Sequence, residues 1–260
     1  MLPRAKKRFG QHFLTDRHYL ARIAEAIAPR AGDSMVEIGP GTGILTAELV
    51  PKVERLHVVE IDRELAADLA ARFPEGKLVI HRADALDFDF GSLAAPLRVV
   101  GNLPYNVSTP ILFRIAAVAD RLRDAVFMLQ KEVVERMVAA PDTEAYGRLS
   151  VMLQYRFAMA LLFRVPPGAF TPPPKVDSAV VLMKPLAADR PRARDEELFA
   201  KIVMAAFSQR RKTLRNAVRV HVSAEAFARA GIDPRRRGET LSVAQFIALA
   251  DASTPLKGAG

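Results

Sequence analysis

Apolar and polar positions along this chain fall into short alternating blocks. Residues 16–28 (DRHYLARIAEAIA) place Leu20, Ile23, Ala24 and Ile27 at helical spacing, which predicts an amphipathic helix. The next apolar block, 34–38 (SMVEI), is short and runs into glycines, as a buried strand does. The alternation continues with a helix over 43–50, a strand over 55–61 and a helix over 62–72 that opens on an acid at its N-cap. Strands follow over 77–81 and 97–101. A helix over 108–118 has Ser108 as its expected cap and Pro110 in its first turn. A strand over 124–130 leads into a helix through Met137, residues 147–165 read as a helix and then a strand, and 178–184 is the last strand. Such alternation predicts the α/β class, a mostly parallel sheet with helices on both faces.

The pattern changes at 185–195 (PLAADRPRARD), a stretch rich in Pro, Ala, Arg and Asp that reads as a linker. Beyond it every periodic segment is helical: 195–208, 211–220, 223–230 and 242–250. The expected division is a sheet domain over 1–187 and a small all-helical domain over 188–260.

Composition narrows the classes. The chain has 260 residues, half of them hydrophobic, enough to bury a sizeable core. It has no cysteine, which excludes a disulfide scaffold, a thiolate metal site and a cysteine nucleophile; no metal site is expected. The apolar run at 157–163 is far shorter than the roughly 20 residues of a membrane helix, and the first residues lack the apolar run of a signal peptide. A soluble cytoplasmic protein is expected. Net charge is +9, and the excess sits at the two ends. Residues 1–30 carry seven basic and two acidic side chains, residues 191–260 thirteen and seven, and the middle is nearly neutral. A basic surface without a partner would give this balance; so would a polyanionic partner.

The first strand ends in Val36-Glu37-Ile38-Gly39-Pro40-Gly41-Thr42-Gly43. Glycines there permit a tight turn and close approach to a ligand. The GxGxG spacing, preceded by an acid, resembles the S-adenosylmethionine loop of Rossmann-like methyltransferases more than a GxGxxG pyrophosphate cradle. Glu60 ends the second strand, where a carboxylate can accept from both ribose hydroxyls, and Asp84 follows the third, where it can accept from an adenine amine. Each acid alone could equally be a solvated cap. The fourth strand ends in Gly101-Asn102-Leu103-Pro104-Tyr105-Asn106. The Asn102 side chain and the Leu103 carbonyl can together accept both hydrogens of an adenine amine, Pro104 stiffens the turn, and Tyr105 can stack on the base. The plainer alternative is an Asn capping its own loop beside a core Tyr. Phe170 opens the proline-rich segment FTPPPKVDS; it either covers the other face of a flipped base or plugs the core.

Basic residues gather in three places: Arg4, Lys6, Lys7 and Arg8; Arg210, Arg211, Lys212 and Arg215; and Arg235, Arg236 and Arg237. On a helix over 211–220, Arg211 and Lys212 would each share a face with Arg215. These clusters suit contacts to phosphate and RNA shape, or a solvated surface.

The quoted segments, with FGQHFL at 9–14, GNLPYNVSTPIL at 101–112, FMLQKEVVERM at 127–137, FTPPPKVDSAVV at 170–181 and AFSQRRKTLRN at 206–216, resemble the ribosomal RNA adenine dimethyltransferase family over nearly the full length. The resemblance implies a Rossmann-like S-adenosyl-L-methionine-dependent catalytic domain whose first segment covers the cofactor, and a helical rRNA-binding domain. It implies N6,N6-dimethylation of two adjacent adenosines in the 3′-terminal hairpin loop of 16S rRNA on assembling 30S particles. A monomer is expected, with neither membrane nor DNA partner. It assigns cofactor contacts to His12, Leu14, Gly39, Gly41, Glu60, Asp84 and Asn102, and the target adenine to Asn102, Leu103, Pro104, Tyr105 and Phe170. His12 stands where the family usually has Asn. The competing readings are a large-subunit rRNA adenine N6-methyltransferase of the macrolide-resistance type and a non-catalytic ribosome-assembly factor. A DNA methyltransferase is disfavoured by the missing target-recognition domain, and a NAD oxidoreductase by the glycine spacing.

Overall fold

The structure, a computed structural model, describes residues 11–209 and 212–254. These fall into two compact units, 11–134 with 157–185, and 135–156 with 186–254. The first unit carries β1 (Phe13–Leu14), α1 (Arg17–Ile27), β2 (Ser34–Ile38), α2 (Ile44–Leu49), β3 (Leu56–Val59), α3 (Arg63–Arg72), β4 (Leu78–His81), β5 (Leu97–Asn102), α4 (Ser108–Ala117) and β6 (Leu122–Gln130). Helix α5 (Lys131–Val138) runs from the first unit into the second, where α6 (Arg148–Gln154) follows. Then β7 (Phe157–Val165), β8 (Phe170–Thr171) and β9 (Ser178–Pro185) complete the first unit. The rest of the second holds α7 (Glu196–Ser208), α8 (Leu214–Val218), α9 (Ala224–Ala230) and α10 (Val243–Ser253).

Seven strands form one sheet in the order β4-β3-β2-β5-β6-β9-β7. The first five are mutually parallel, whereas β9 lies antiparallel to β6 and β7 antiparallel to β9. From β2 the chain steps outward to β3 and β4, then returns to β5 on the other side. The strand order reverses between β2 and β5, so loops leaving their carboxyl ends diverge and open a crevice. Central strands have to be apolar on both faces, and β5 is buried from Leu97 to Gly101. Arg98 is tolerated in that run because its guanidinium meets Asp124 on β6 at 2.8 Å and Asp33 at 2.6 Å, and donates to Ala28 O and Ile27 O. Leu20, Ile23 and Ile27 of α1 join Met35, Val58, Val100, Val126 and Val180 in one core. Asp62 caps α3 as its position predicts, and Asp16 caps α1.

Three expectations need correction, and one pairing was not foreseen. Ser108 is the first residue of α4 rather than its cap; its hydroxyl donates to Tyr105 O at 3.2 Å, so it serves the loop before the helix. The helix expected over 211–220 is only α8, which places Lys212 before the helix. There Leu214 N donates to Arg236 O and Arg215 N to Pro234 O, which ties this segment to the 233–236 loop. A single break at 187 does not divide the chain. Residues 135–156 leave the first unit because their aromatic side chains complete the second core: Tyr155 stacks on Phe199 at 4.4 Å, and Tyr146 Oη donates to Leu241 O at 2.9 Å. Finally, β1 pairs antiparallel with β8 in a two-stranded sheet that nothing in the local pattern announced. No helix among the described residues is long and apolar enough to cross a membrane.

Candidate active site

A cavity of about 340 Å³ opens at the carboxyl ends of β2 to β5, within the ~300–1,000 Å³ range of small-molecule sites. Its walls are loops delivered by four successive strands. After β2 comes the glycine turn, in which Gly39, Gly41 and Gly43 all adopt positive φ. At Gly43, φ of +74° disfavours any side chain, and a Cβ would also crowd the ends of Leu69 and Arg72 on α3. Gly41 N donates to Glu60 Oε2 at 3.1 Å, and Asp62 N donates to Glu60 Oε1 at 2.8 Å. Glu60 therefore holds the turn through both oxygens while lining the cavity. Burial pushes its carboxyl above the ordinary range.

Behind the turn, Glu37 is almost fully buried and accepts from Thr46 Oγ1 at 2.7 Å. Burial pushes it up to about 8, and the charge of nearby Glu60 adds to the shift. After β4, Asp84 Oδ1 accepts from Leu86 N at 2.9 Å, which fixes the carboxylate at the cavity wall.

The opposite wall is the loop after β5. Gly101 is obligatory here, since a Cβ would lie 2.4 Å from Ile38 O on the neighbouring strand. Its absence lets β5 deliver Asn102 next to the end of β2. Asn102 Nδ2 donates to His12 O at 3.2 Å, leaving the side-chain oxygen to accept. Leu103 N donates to Met128 O at 3.1 Å and its side chain is buried, so the turn is anchored to β6. The Tyr105 ring stacks on His12 with centroids 5.5 Å apart and planes at 27°. His12 is held in turn by Nδ1 lying 2.9 Å from Pro172 O, the bond of an Nδ1–H donor. The arrangement combines carboxylates suited to a cationic ligand with an amide oxygen and a stiff aromatic turn suited to a planar amine.

Residues 3–254 match the family model described as ribosomal RNA adenine dimethylase. The chain belongs to the ribosomal RNA adenine dimethylase family. Among curated relatives, the ribosomal RNA small subunit methyltransferase A of Aromatoleum aromaticum is 58% identical over 95% of this chain and 93% of its own length. That of Laribacter hongkongensis is also 58% identical, over 95% of each chain. Among solved structures, the 23S rRNA methyltransferase ErmE superposes with a TM-score of 0.71 at 26% identity, covering 93% of this chain and 99% of its own. A dimethyladenosine transferase from Plasmodium falciparum shares the fold with a TM-score of 0.78 at 24% identity, covering 92% and 96%. The first unit of this adenine dimethylase family member is thus a Rossmann-like methyltransferase sheet.

In this family member, His12, Leu14, Gly39, Gly41, Glu60, Asp84, Asn102, Leu103, Pro104 and Tyr105 all line the one cavity. Phe170 does not join them. It is 3% exposed and packs in the core with Leu14, Ile23 and Val180, because pairing of β8 with β1 turns its ring inward and Thr171 outward. That placement fits the core alternative raised for this residue. The cavity also contains Glu37, Ile61 and Met128, which sequence reasoning did not select. Ile61 had a signal: a large apolar side chain directly after the strand-ending acid, still 47% exposed after folding.

Of the basic clusters, Arg4, Lys6, Lys7, Arg8, Arg210 and Arg211 lie outside the described residues. Lys212 and Arg215 are exposed. Arg235 meets Asp233 at 3.2 Å and Arg237 lies 3.9 Å from Glu239, both at the surface. Arg236 turns back onto Thr240, donating to its hydroxyl at 3.0 Å and to its carbonyl, so it holds its own loop rather than facing outward.

Proposed function

We propose that this chain dimethylates the N6 amines of two adjacent adenosines in the 3′-terminal hairpin loop of small-subunit (16S) rRNA, on assembling 30S particles, with S-adenosyl-L-methionine as methyl donor. The observation that carries the reading is the meeting of two acceptor sets in one cavity: Glu60 and Asp84 on one wall, Asn102 and Leu103 on the other.

The residues fit that donor. Glu60 has oxygens left for a ribose diol, Asp84 faces the cavity as an acceptor for an adenine amine, and the glycine turn admits close backbone approach. The bound donor supplies a methyl group on a positively charged sulfur. His12, directly before β1, and Leu14, on it, line the same cavity and would cover it.

On the substrate side, the Asn102 oxygen and the Leu103 carbonyl accept the two N–H bonds of the adenine amine. Drawing those hydrogens out of the ring plane turns the nitrogen lone pair toward the methyl group. Tyr105 supplies a flat face for the base and Pro104 keeps the turn stiff. The donor's carbon–sulfur bond would break as the methyl passes to nitrogen, S-adenosyl-L-homocysteine would leave, and the amine would shed its proton to water, so no strong base is required of the protein. Outside the cavity, Lys212, Arg215, Arg235 and Arg237 offer contacts to phosphates, with no base readout needed.

The test supplies methyl-labelled S-adenosyl-L-methionine with immature small subunits, large subunits, naked rRNA and duplex DNA in separate reactions, then maps the labelled base. Label on two neighbouring adenosines of the immature small subunit is the expected result. Label only on large-subunit rRNA would move the assignment to the macrolide-resistance type, and binding without label to an assembly factor.

A further inference from the structure

The segment FTPPPKVDS contributes one buried polar side chain that the reading above leaves unused. Ser178 is the first residue of β9 and is fully buried. Its backbone is fixed from two sides, in register with Gln130 of β6 and Val165 of β7, and the preceding Asp177 O accepts from Lys131 N. A buried hydroxyl requires a partner. Ser178 Oγ finds it in Tyr105 Oη, at 2.6 Å and 73 residues away in sequence.

Tyr105 itself belongs to an irregular turn. A phenol ring there can pivot about its two side-chain torsions, and the slot it offers a base would broaden accordingly. The bond to Ser178 pins the far end of the ring, while His12 lies against its face. We propose that Ser178 is a positioning residue for methyl transfer: through its hydroxyl it sets the tilt of the Tyr105 ring, and so the angle at which the adenine amine meets Asn102. The inference rests on the functional reading, since it needs the base to lie against Tyr105. Misalignment of a reacting pair by about 1 Å can cost roughly a hundredfold in rate; loss of one pin on a ring still held by its backbone should cost less.

Three variants test it: Ser178→Ala, Tyr105→Phe and the double change, each in the full chain with immature small subunits as substrate. Either single change is expected to lower kcat about 3- to 10-fold, with KM for the particle and donor affinity within about twofold of wild type. The double variant should fall no further, because both changes remove one bond. An independent readout uses ring-carbon NMR of the four tyrosines without substrate. The Tyr105 ring signals should shift or broaden in Ser178→Ala while Tyr146 and Tyr155 stay in place. Multiplying losses in the double variant, unchanged kcat in Ser178→Ala, or an unmoved Tyr105 signal would each overturn the inference. Tyr105→Ala separates the two levels. If it methylates normally, the base does not use this ring and the functional reading fails with the inference; if it is impaired while Ser178→Ala is normal, only Ser178 loses its role.

Discussion

In the proposed function Asn102 is the side chain that meets the adenine amine. Its Nδ2 is engaged by His12 O, and its oxygen faces the cavity as an acceptor. Replacing it by Ala should leave donor affinity within about threefold while methyl transfer falls by more than about tenfold, as for other preorganised polar groups at a reacting centre; equilibrium binding and single-turnover rates measured together will check this. Glu37 yields a prediction of a different kind. Burial raises its folded value to about 8, while the unfolded chain ionises near the ordinary 4.5. Between those pH values the unfolded chain has lost a proton that the folded chain keeps, so this group lowers stability as pH rises. Glu37→Gln still accepts from Thr46 Oγ1 but cannot ionise. Its melting temperature relative to wild type should therefore climb from about pH 4.5 to about pH 8 and level off above; a gap that narrows over that range would contradict the assignment. At this scale much of the cavity lining was legible, because Gly39, Glu60 and Asn102 each stand at the end of a short apolar run that reads as a strand, with Asp84 three residues beyond another. Phe170 and Ser178 were not, since the direction of a side chain beside prolines depends on which distant strand it pairs with.

Among the elements, β5 is the one most tightly specified. It is buried on both faces, yet contains Arg98, which joins β5 to Asp124 on β6 and to Asp33 before β2. Asp33 is held below the ordinary carboxylate range despite burial, by the hydrogen bonds of Arg98 and of Arg30 N and by the charges of Arg98 and Arg123. Arg98→Met should cost about 3–5 kcal/mol in urea unfolding, because it strands buried carboxylates. Adding Asp124→Asn to that variant should recover part of the loss, and no recovery would mean that the arginine acts through packing alone. Periodicity located the sheet strands and most helices to within a few residues, since each is an unbroken local pattern. It could not see β1 and β8, two residues each, paired as Phe13 with Thr171 and Leu14 with Phe170 from opposite ends of the first unit's sequence. Nor could it shorten the 211–220 helix, whose beginning is cut back by hydrogen bonds to the 234–236 loop.

Across the whole molecule, positive charge is concentrated in the first thirty and the last seventy residues, while the carboxylates of the cavity come from the middle. Exchanging Lys212 and Arg215 for Gln should weaken binding to immature small subunits and flatten its dependence on salt by about 1–2 units of log–log slope. An unchanged slope would remove both residues from the RNA footprint. The division into two units was misjudged in sequence because α5 and α6 carry the same amphipathic signature as the helices of the sheet unit, and periodicity does not say which core an apolar stripe will find. That division has a practical side. The helical unit is interrupted by the β7–β9 hairpin, so its hydrophobic interior is assembled from two stretches of chain. A fragment beginning near 187 would lack Tyr146, Val151 and Tyr155 and leave Phe199 without its stacking partner. Grafting this unit onto the sheet of a relative with another target thus calls for three splice joints and not one, and any chimera built with a single crossover would inherit an unfilled interior.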